Sequence, residues 1–232
     1  MKVLVIIPTH NESQKIYDVV QGVRSRGYDV VVVDDGSSDN TVQEARRAGA
    51  KVLKHYINRG YGAALETGNQ YALRRSYDVI VHFDGDGQHD PEEIINLVKP
   101  IQEGLTDVVI GSRFLKCDAN HTHMSRIGRV PLVRKILIKL AILFTWIFSG
   151  IRLTDAHNGF RAFSRNALEI LNCQQDGMSY SSEVIDQIAE HELRLVEVPN
   201  TIVYSEYSVA KGESNIKKIF VGLKFLWGKI VK

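Results

Sequence analysis

The chain has little of what marks a secreted or membrane-spanning protein. Only two of its 232 residues are cysteines, Cys117 and Cys173, too few and too irregularly spaced for a metal site or a disulfide framework. Such sparse cysteine fits a reducing cytoplasm. The apolar start before Pro8 is too short for a signal peptide and predicts a first strand. The longest uncharged apolar stretch, residues 140–151, has twelve residues, whereas a membrane-spanning helix needs about 20, so we expect none.

Excess charge and the signs of a redox cofactor are also missing. The net charge of +2 gives no reason to expect a nucleic-acid partner. The glycine-rich stretch "GYGAALETG" at residues 60–68 lacks the third glycine of a dinucleotide fingerprint, so no such cofactor is expected. The length suits one large α/β domain or two small ones with a sizeable core.

The first half of the chain alternates between apolar runs and helical patterns. Runs such as "VLVII" and "VVVV" are continuously apolar, which is typical of strands buried on both faces of a mostly parallel sheet. The alternation therefore predicts a doubly wound, Rossmann-like α/β fold. The predicted strands are 3–7, 30–33, 52–53, 79–83 and 108–110, and the predicted helices are 13–26, 41–48, 62–74 and 91–103. Later in the chain we predict a helix near 182–191 and a strand within 193–199.

Polar clusters follow three of these predicted strands. They read "PTHNE" after the first strand, "DDGSSDN" after the second and "DGDGQHD" after the fourth. In doubly wound sheets the carboxyl ends of parallel strands share one edge, where ligands bind, so we expect the clusters to lie together. The competing interpretation is that these residues only cap helices, but a cap needs one acid per helix rather than two or three.

The acids of the third cluster indicate a cation. Asp84 and Asp86 are separated by one residue at the end of a buried strand, so both carboxylates can reach one ion. Oxygen ligands suit Mg²⁺ or Mn²⁺, and Mg²⁺ usually takes one or two carboxylates and completes its shell with phosphates and water. A nucleoside diphosphate would supply those phosphates. The flanking glycines at 85 and 87 allow close backbone approach.

Six motifs, in order, give the chain a family resemblance. They are "VIIPTHNE", "VVVVDDGSSDNT", "NRGYGAAL", "FDGDGQHDPEEI", "VIGSRF" and "TDAHNGFRAFSR". Together they resemble glycosyltransferase family 2 with its GT-A fold, most closely the polyprenyl-phosphate sugar transferases of the dolichyl-phosphate mannose synthase type. The resemblance covers residues 1–205. It implies an inverting, metal-dependent transfer of one sugar from a UDP- or GDP-sugar to a polyprenyl phosphate.

The resemblance also implies roles for individual residues. Asp35 would lie near the base or ribose, and Arg113 would meet the sugar-phosphate side or the acceptor phosphate. His10 stands where an aromatic residue is common, so it could still stack on the base. The implied donor-binding set is Pro8, His10, Glu12, Val33, Asp35, Asp84, Gly85, Asp86 and Arg113. The implied metal ligands are Asp86, Gln88 and Asp84, and the implied catalytic residues are Asp155, Arg113 and Asp86.

Two questions about the acceptor stay open at the level of sequence. Asp155 would be a general base if the acceptor were a hydroxyl, whereas a phosphate acceptor is already an anion and would leave Asp155 to orient other groups. The other candidates for holding an acceptor phosphate are basic residues, namely Arg126, Arg129, Arg134 and Lys211. Alternative functions are transfer to a saccharide hydroxyl, nucleotidyl transfer, and a non-catalytic subunit that binds a nucleotide sugar.

The expected organisation is a catalytic domain over 1–205 and a basic amphipathic segment over 206–232. Within the domain, 1–111 would bind the donor and 112–205 the acceptor. The C-terminal segment has an apolar helical stripe flanked by lysines, which fits either a membrane interface or packing on a protein core or dimer partner. We expect a peripheral protein on the cytoplasmic membrane face. Its expected partner is either a membrane protein or a second copy of the chain.

Overall fold

The computed structural model describes residues 1–115, 142, 146–147, 149–155 and 158–203. Within them a seven-stranded sheet has strand order β3-β2-β1-β4-β6-β5-β7. The strands are β1 (Val3–Thr9), β2 (Asp29–Asp34), β3 (Lys51–Lys54), β4 (Val79–His82), β5 (Val108–Ser112), β6 (Arg161–Ser164) and β7 (Leu195–Pro199). The helices are α1 (Ile16–Ser25), α2 (Thr41–Arg47), α3 (Tyr61–Leu73), α4 (Ile94–Gln102), α5 (Arg165–Ile170) and α6 (Tyr180–Glu190), with a 3₁₀ turn at Pro91–Glu93 before α4.

The predicted doubly wound α/β fold is confirmed. Strands β1 to β4 are parallel, and β5 pairs in parallel with β7. One hydrophobic core lies between the sheet and α3, α5 and α6, and a second lies on the opposite face against α1, α2 and α4. Alternate residues of β1 serve the two cores, with Leu4 and Ile6 on one face and Val5 and Ile7 on the other. This two-sided burial explains why the strands are continuously apolar.

Strand β6 is the feature that the sequence interpretation missed. It has four residues and runs antiparallel between β4 and β5, with Arg161 opposite His82 and opposite Ile110. Because β6 runs in reverse, its amino end lies at the same edge as the carboxyl end of β4. Residues 158–160, which precede β6, are therefore brought beside Asp84.

Helix packing against the sheet follows from local sequence. Helix α1 buries Ile16, Val19, Val20 and Val23, the spacing of one helical face. Helix α3 approaches β1 closely at Gly68, where a Cβ would lie 2.4 Å from Cγ2 of Ile6. The glycine therefore sets the distance between this helix and the sheet.

Several sequence predictions fall on residues outside the described ones. These are Arg126, Arg129, Arg134 and Lys211, and the amphipathic segment over 206–232. Within the described residues, no helix combines the length and the apolar character that crossing a membrane requires.

Candidate active site

The three polar clusters lie together, as predicted, at the carboxyl edge of β2, β1 and β4. Thr9 pairs with Asp34 across β1 and β2, and Ile6 pairs with His82 across β1 and β4. Chain order reverses direction between β1 and β4, since β2 lies on one side of β1 and β4 on the other. Open α/β sheets bind ligands at such a switch point. The fold therefore gathers the polar clusters where a ligand crevice is expected.

The first two clusters are bonded to each other. The backbone N–H of Asp35 donates to the carbonyl of Thr9 over 2.8 Å, and the ring Nδ1 of exposed His10 lies 3.0 Å from the carbonyl of Asp35. The Glu12 N–H donates to the hydroxyl of Thr41 over 2.8 Å, so Glu12 is buried at this junction. The expected donor-side residues of the first two strands are therefore neighbours in space.

Val33 is placed differently from the expectation that it lines a pocket. Its side chain has 0% exposure and packs in the core with Leu4 and Ile6. The strand alternation that buries Val31 buries Val33 on the same face. Only the backbone of Val33 is left to meet a ligand, so its side chain belongs to the core rather than to a pocket wall. Pro8, its partner across β1 and β2, is also buried.

Asp35 organises a loop rather than pointing into open space. Its carboxylate accepts the N–H groups of Arg59 and Gly60 over 2.8 and 2.7 Å and the Nδ1–H of His55 over 2.8 Å. Gly60 has a φ of +112° here, a conformation that side chains rarely adopt. The loop ends at Tyr61, so Asp35 fixes the start of α3 and the position of that tyrosine.

Asp84 accepts two side-chain hydrogen bonds. The hydroxyl of Tyr61 donates to Oδ1 over 3.0 Å, and Nε2 of His89 lies 3.2 Å from Oδ2. Burial alone would raise the pKa of Asp84, but the hydrogen bonds from His89 and the Tyr61 hydroxyl and the charge of Arg161 outweigh it and lower that pKa. The lowered pKa keeps the carboxylate ionised. The Asp84 side chain is 30% exposed, so a ligand can still reach it.

Asp86 behaves in the opposite way. Burial, followed by repulsion from Asp84, raises the pKa of Asp86 to about 6. The backbone N–H of Gln88 donates to Oδ1 over 3.0 Å, and its amide nitrogen donates to Oδ2 over 2.6 Å. Two close carboxylates with pKa values pushed apart are the arrangement that a shared cation relieves.

The residues present fit a hard divalent cation. Asp84, Asp86 and the amide of Gln88 supply oxygen donors, which suit Mg²⁺ or Mn²⁺ rather than a thiophilic metal. Within the described part of the chain, no group of three or more His, Cys, Asp or Glu side chains is arranged to hold a metal ion. Mg²⁺ usually takes one or two protein carboxylates and completes its coordination with phosphate and water.

The remaining acids of the clusters have structural roles. Asp90 accepts the N–H of Glu92 over 2.9 Å and caps the 3₁₀ turn that begins at Pro91. Asp39 accepts the N–H of Thr41 over 3.0 Å at the start of α2. The capping interpretation is therefore correct for Asp90. Asp39 lies one residue before the N-cap of α2, and Asp84 and Asp86 make no such cap.

The segment before β6 lies against Asp84. A Cβ built on Gly159 would be 2.6 Å from Oδ2 of Asp84 and 2.9 Å from the hydroxyl of Tyr61. Arg161 is 1% exposed, and its Nε donates to the carbonyl of Asn158 over 2.8 Å. Its positive charge contributes to lowering the pKa of Asp84. None of Tyr61, His89, Gly159 or Arg161 was assigned a site role from sequence, because only the strand pairing brings them together.

Arg113 and Asp155 form a bidentate ion pair. The Nε and Nη2 of Arg113 donate to Oδ2 and Oδ1 of Asp155 over 2.6 and 2.7 Å, and the Arg113 N–H adds a bond of 3.2 Å. Asp155 has 0% side-chain exposure and Arg113 has 11%. Both oxygens of the Asp155 carboxylate are therefore engaged by one guanidinium. This is the geometry of a carboxylate that holds an arginine in position.

Glu197 of β7 holds the chain next to this pair. Its carboxylate accepts the N–H of Thr154 over 2.8 Å, the hydroxyl of Thr154 over 2.9 Å and the N–H of Asp155 over 3.1 Å. The hydroxyl of Ser112, at the end of β5, lies 2.6 Å from that of Thr154. The ends of β5 and β7 thus fix Asp155, which in turn fixes Arg113.

The chain is thus an α/β domain with a carboxylate pair, Asp84 and Asp86, at the carboxyl edge of its sheet, where ligands bind in such folds. The comparison with protein families agrees, because the model named "Glycosyl transferase family 2" matches residues 4–171. The chain belongs to this family and is a glycosyltransferase.

Individual relatives agree with this assignment. The UDP-N-acetylglucosamine–dolichyl-phosphate N-acetylglucosaminyltransferase of Methanococcus voltae is 31% identical, with 97% of this chain and 93% of that protein covered. The undecaprenyl-phosphate mannosyltransferase of Micrococcus luteus is also 31% identical, over 98% and 96% of the two chains.

Solved structures show the same fold. A glucosyl-3-phosphoglycerate synthase from Mycobacterium tuberculosis, in complex with Mn²⁺, UDP-glucose and phosphoglyceric acid, superposes with a TM-score of 0.70 at 19% identity. The match covers 98% of this chain and 79% of that one. The predicted GT-A fold is confirmed.

Proposed function

We propose that the protein transfers one sugar from a UDP- or GDP-sugar to a polyprenyl phosphate, with Mg²⁺ or Mn²⁺ as cofactor. The observation that carries the proposal is the pairing of Asp84 and Asp86 directly after β4, at the same sheet edge as Arg113, which follows β5. The relatives named as transferases to dolichyl or undecaprenyl phosphate, which align over nearly the whole chain, support the acceptor.

Asp84, Asp86 and Gln88 would bind the metal together with the donor diphosphate. A bound cation would neutralise charge on the departing nucleoside diphosphate. Hydrogen bonds from Tyr61 and His89 would hold Asp84 in position for this role. Fixed ligands reduce the reorganisation that binding would otherwise require. His10, Glu12 and Asp35, with the backbone of Val33, would form the nucleoside end of the crevice.

Arg113 would bind a phosphate at the acceptor side. A guanidinium has five N–H donors, and Asp155 holds this one in place through two of them. The planar guanidinium of arginine matches the geometry of phosphate oxygens well. A phosphate monoester is already anionic near neutral pH, so the acceptor oxygen needs no general base. The single displacement would invert the anomeric centre.

Transfer to a saccharide hydroxyl is the second candidate, and Asp155 discriminates between the two. A hydroxyl acceptor requires a base, and the bidentate bond from Arg113 occupies the carboxylate that sequence offered for that role. We therefore place the phosphate acceptor first. Residues 112–205 would then form the acceptor half of the domain. The basic segment over 206–232 would hold the enzyme on the cytoplasmic face of the membrane.

The experiment is a turnover assay with a panel of UDP- and GDP-sugars, with Mg²⁺ or Mn²⁺, in the presence and absence of a short polyprenyl phosphate. Release of nucleoside diphosphate that requires the lipid, with a glycolipid product, is the expected result. Release that follows a saccharide and ignores the lipid would move the protein to the hydroxyl-acceptor group. Donor binding without release under any condition would indicate a binding subunit.

A further inference from the structure

Three buried polar side chains lie between Asp84 and the Arg113–Asp155 pair. They are His89, Asn200 and Asn158, which are 6%, 3% and 1% exposed. They come from three distant parts of the chain: the loop after β4, the residue after β7 and the segment before β6. Buried polar groups are costly unless they are hydrogen-bonded, so their alignment requires an explanation.

The three side chains form a continuous series of hydrogen bonds. His89 Nε2 lies 3.2 Å from Oδ2 of Asp84, and the amide nitrogen of Asn200 is 3.5 Å from Nδ1 of His89. The amide nitrogen of Asn158 donates to Oδ1 of Asn200 over 2.8 Å and, at 3.4 Å, to Oδ2 of Asp155. The series thus begins at a proposed metal ligand and ends at the carboxylate that holds Arg113.

The polarity of the bonds is consistent along the series. An amide nitrogen can only donate, so Nδ1 of His89 must accept from Asn200, which leaves the ring proton on Nε2 for Asp84. Histidines that orient metal ligands and carboxylates are commonly fixed in this way by a second hydrogen bond. The ring also stacks on Phe160 with centroids 4.9 Å apart, which restricts its rotation.

Backbone contacts reinforce the series on both sides of Asn200. The Asn200 N–H donates to the carbonyl of Ser112, the residue before Arg113, over 3.0 Å. The Thr201 N–H and hydroxyl donate to Glu93 over 2.8 and 2.7 Å, and the Val203 N–H donates to the carbonyl of Gln88 over 2.9 Å. The segment after β7 therefore ties the loop of Asp86 and Gln88 to the end of β5.

We propose that His89, Asn200 and Asn158 are positioning residues that couple the metal-binding carboxylates to the Arg113–Asp155 pair. The identification of the two ends of the series as the donor side and the acceptor side rests on the proposed function. The coupling between the ends does not. Through this series the position of Asp84 depends on that of Asp155. Ordering of one end by a ligand would then favour the ordered arrangement of the other.

Two backbone amides report on the two ends separately. The Gln88 N–H is bonded to Asp86, and the Arg113 N–H is bonded to Asp155. The test is amide hydrogen exchange of the full chain in three variants, each compared with wild type. His89→Phe removes the bonds near Asp84 but keeps an aromatic ring on Phe160, and Asn158→Ala removes those near Asp155. The matched control is Thr106→Val, which removes a buried hydroxyl bonded to Val108 and Arg194 at the opposite edge of the sheet.

Coupling predicts an effect at the remote end of each variant. His89→Phe should accelerate exchange of the Arg113 amide about tenfold, and Asn158→Ala should do the same for the Gln88 amide. Thr106→Val should change neither. If each variant altered only the amide at its own end, or if all three variants altered both amides equally, the proposal would be overturned.

Affinity for Mn²⁺ alone gives a second readout. Asn200→Ala does not touch the proposed ligands, yet we expect it to weaken Mn²⁺ binding about tenfold, the usual scale for a residue that orients a ligand. His89→Phe and Asn200→Ala break the same series, so the double variant should be little weaker than either single one. Full additivity would contradict the proposal.

The two readouts also separate this proposal from the proposed function. If wild type bound no Mn²⁺, or if Asp86→Asn bound it normally, the metal assignment would fail, while the exchange experiment would still decide the coupling. Unchanged remote amides together with normal metal-dependent turnover would refute the coupling and leave the proposed function in place.

Discussion

Arg113 and Asp155 are joined by two side-chain hydrogen bonds of 2.6 and 2.7 Å although they are 42 residues apart in the chain. The pair connects the end of β5 to the segment that precedes β6. Because Asp155 is fully buried, its charge depends on Arg113 for compensation. The contact that engages both oxygens of Asp155 also holds the arginine in place.

Removal of this arginine should destabilise the fold. We expect Arg113→Ala to lower the free energy of unfolding by about 3 kcal/mol, because it leaves an uncompensated buried carboxylate. Urea denaturation followed by circular dichroism would measure the change. The control is Lys99→Ala, which breaks an exposed pair with Glu103 and should cost less than about 1 kcal/mol. Equal effects of the two substitutions would contradict the role assigned to the buried pair.

The pKa of Asp86 predicts a pH dependence of stability. A carboxyl group whose pKa is about 6 when folded and 3.8 ordinarily binds its proton more tightly in the folded state. Metal-free stability should therefore fall as pH rises from about 4 to about 6 and stay low above that range. Asp86→Asn should remove this fall and stabilise the metal-free protein at pH 7.5 by about 1 kcal/mol.

Added metal should make wild type more stable than Asp86→Asn, the reverse of their order without metal. Wild type should gain thermal stability with Mn²⁺ or Mg²⁺ at pH 7.5, as mass action requires of a ligand that binds the folded state, whereas Asp86→Asn should gain almost none. Thermal melts at several pH values, with chelator and with metal, would measure both effects. A metal-dependent gain in Asp86→Asn equal to that of wild type would refute the metal assignment.

Gly159 offers a test of the crevice wall. A methyl group at this position would lie within 3 Å of both Asp84 and the Tyr61 hydroxyl, so Gly159→Ala should displace the carboxylate and reduce turnover at least about tenfold. Gly177→Ala is the matched control, because a Cβ there meets nothing within 4 Å. Steady-state kinetics of the two variants would give the comparison. Normal turnover in Gly159→Ala would show that Asp84 is not confined as the structure has it.

The sequence alone predicted the parallel part of the sheet. It also singled out Asp84 and Asp86, the acids that we propose as metal ligands. Strands β1, β2 and β4 are buried on both faces and largely apolar, and each is followed by a polar cluster, so local pattern and topology agree. Strand β6 could not be found in this way. Its four residues, "RAFS", include an arginine that is buried only because neighbouring strands enclose it.

The hydrogen bonds within the site could not be predicted from sequence for the same reason, because they join residues that are distant in the chain. Nothing local distinguishes His89 from the other histidines, or Asn200 from an ordinary residue after a strand. Their roles arise because β7 ends beside the loop after β4, which no periodicity reveals. The burial of the Val33 side chain was also not foreseen, since family resemblance marks a position without telling whether its side chain or its backbone is exposed.

Transfer of labelled sugar into a lipid product directly tests the proposed reaction, sugar transfer to a polyprenyl phosphate. The assay would incubate wild type and Asp86→Asn with a radiolabelled UDP- or GDP-sugar, Mn²⁺ and a short polyprenyl phosphate, and would count label in the organic phase. We expect metal-dependent glycolipid formation by wild type. In Asp86→Asn the rate of glycolipid formation should fall at least about a hundredfold. Label that remains in the aqueous phase with every donor, while a saccharide hydroxyl accepts it, would contradict the account.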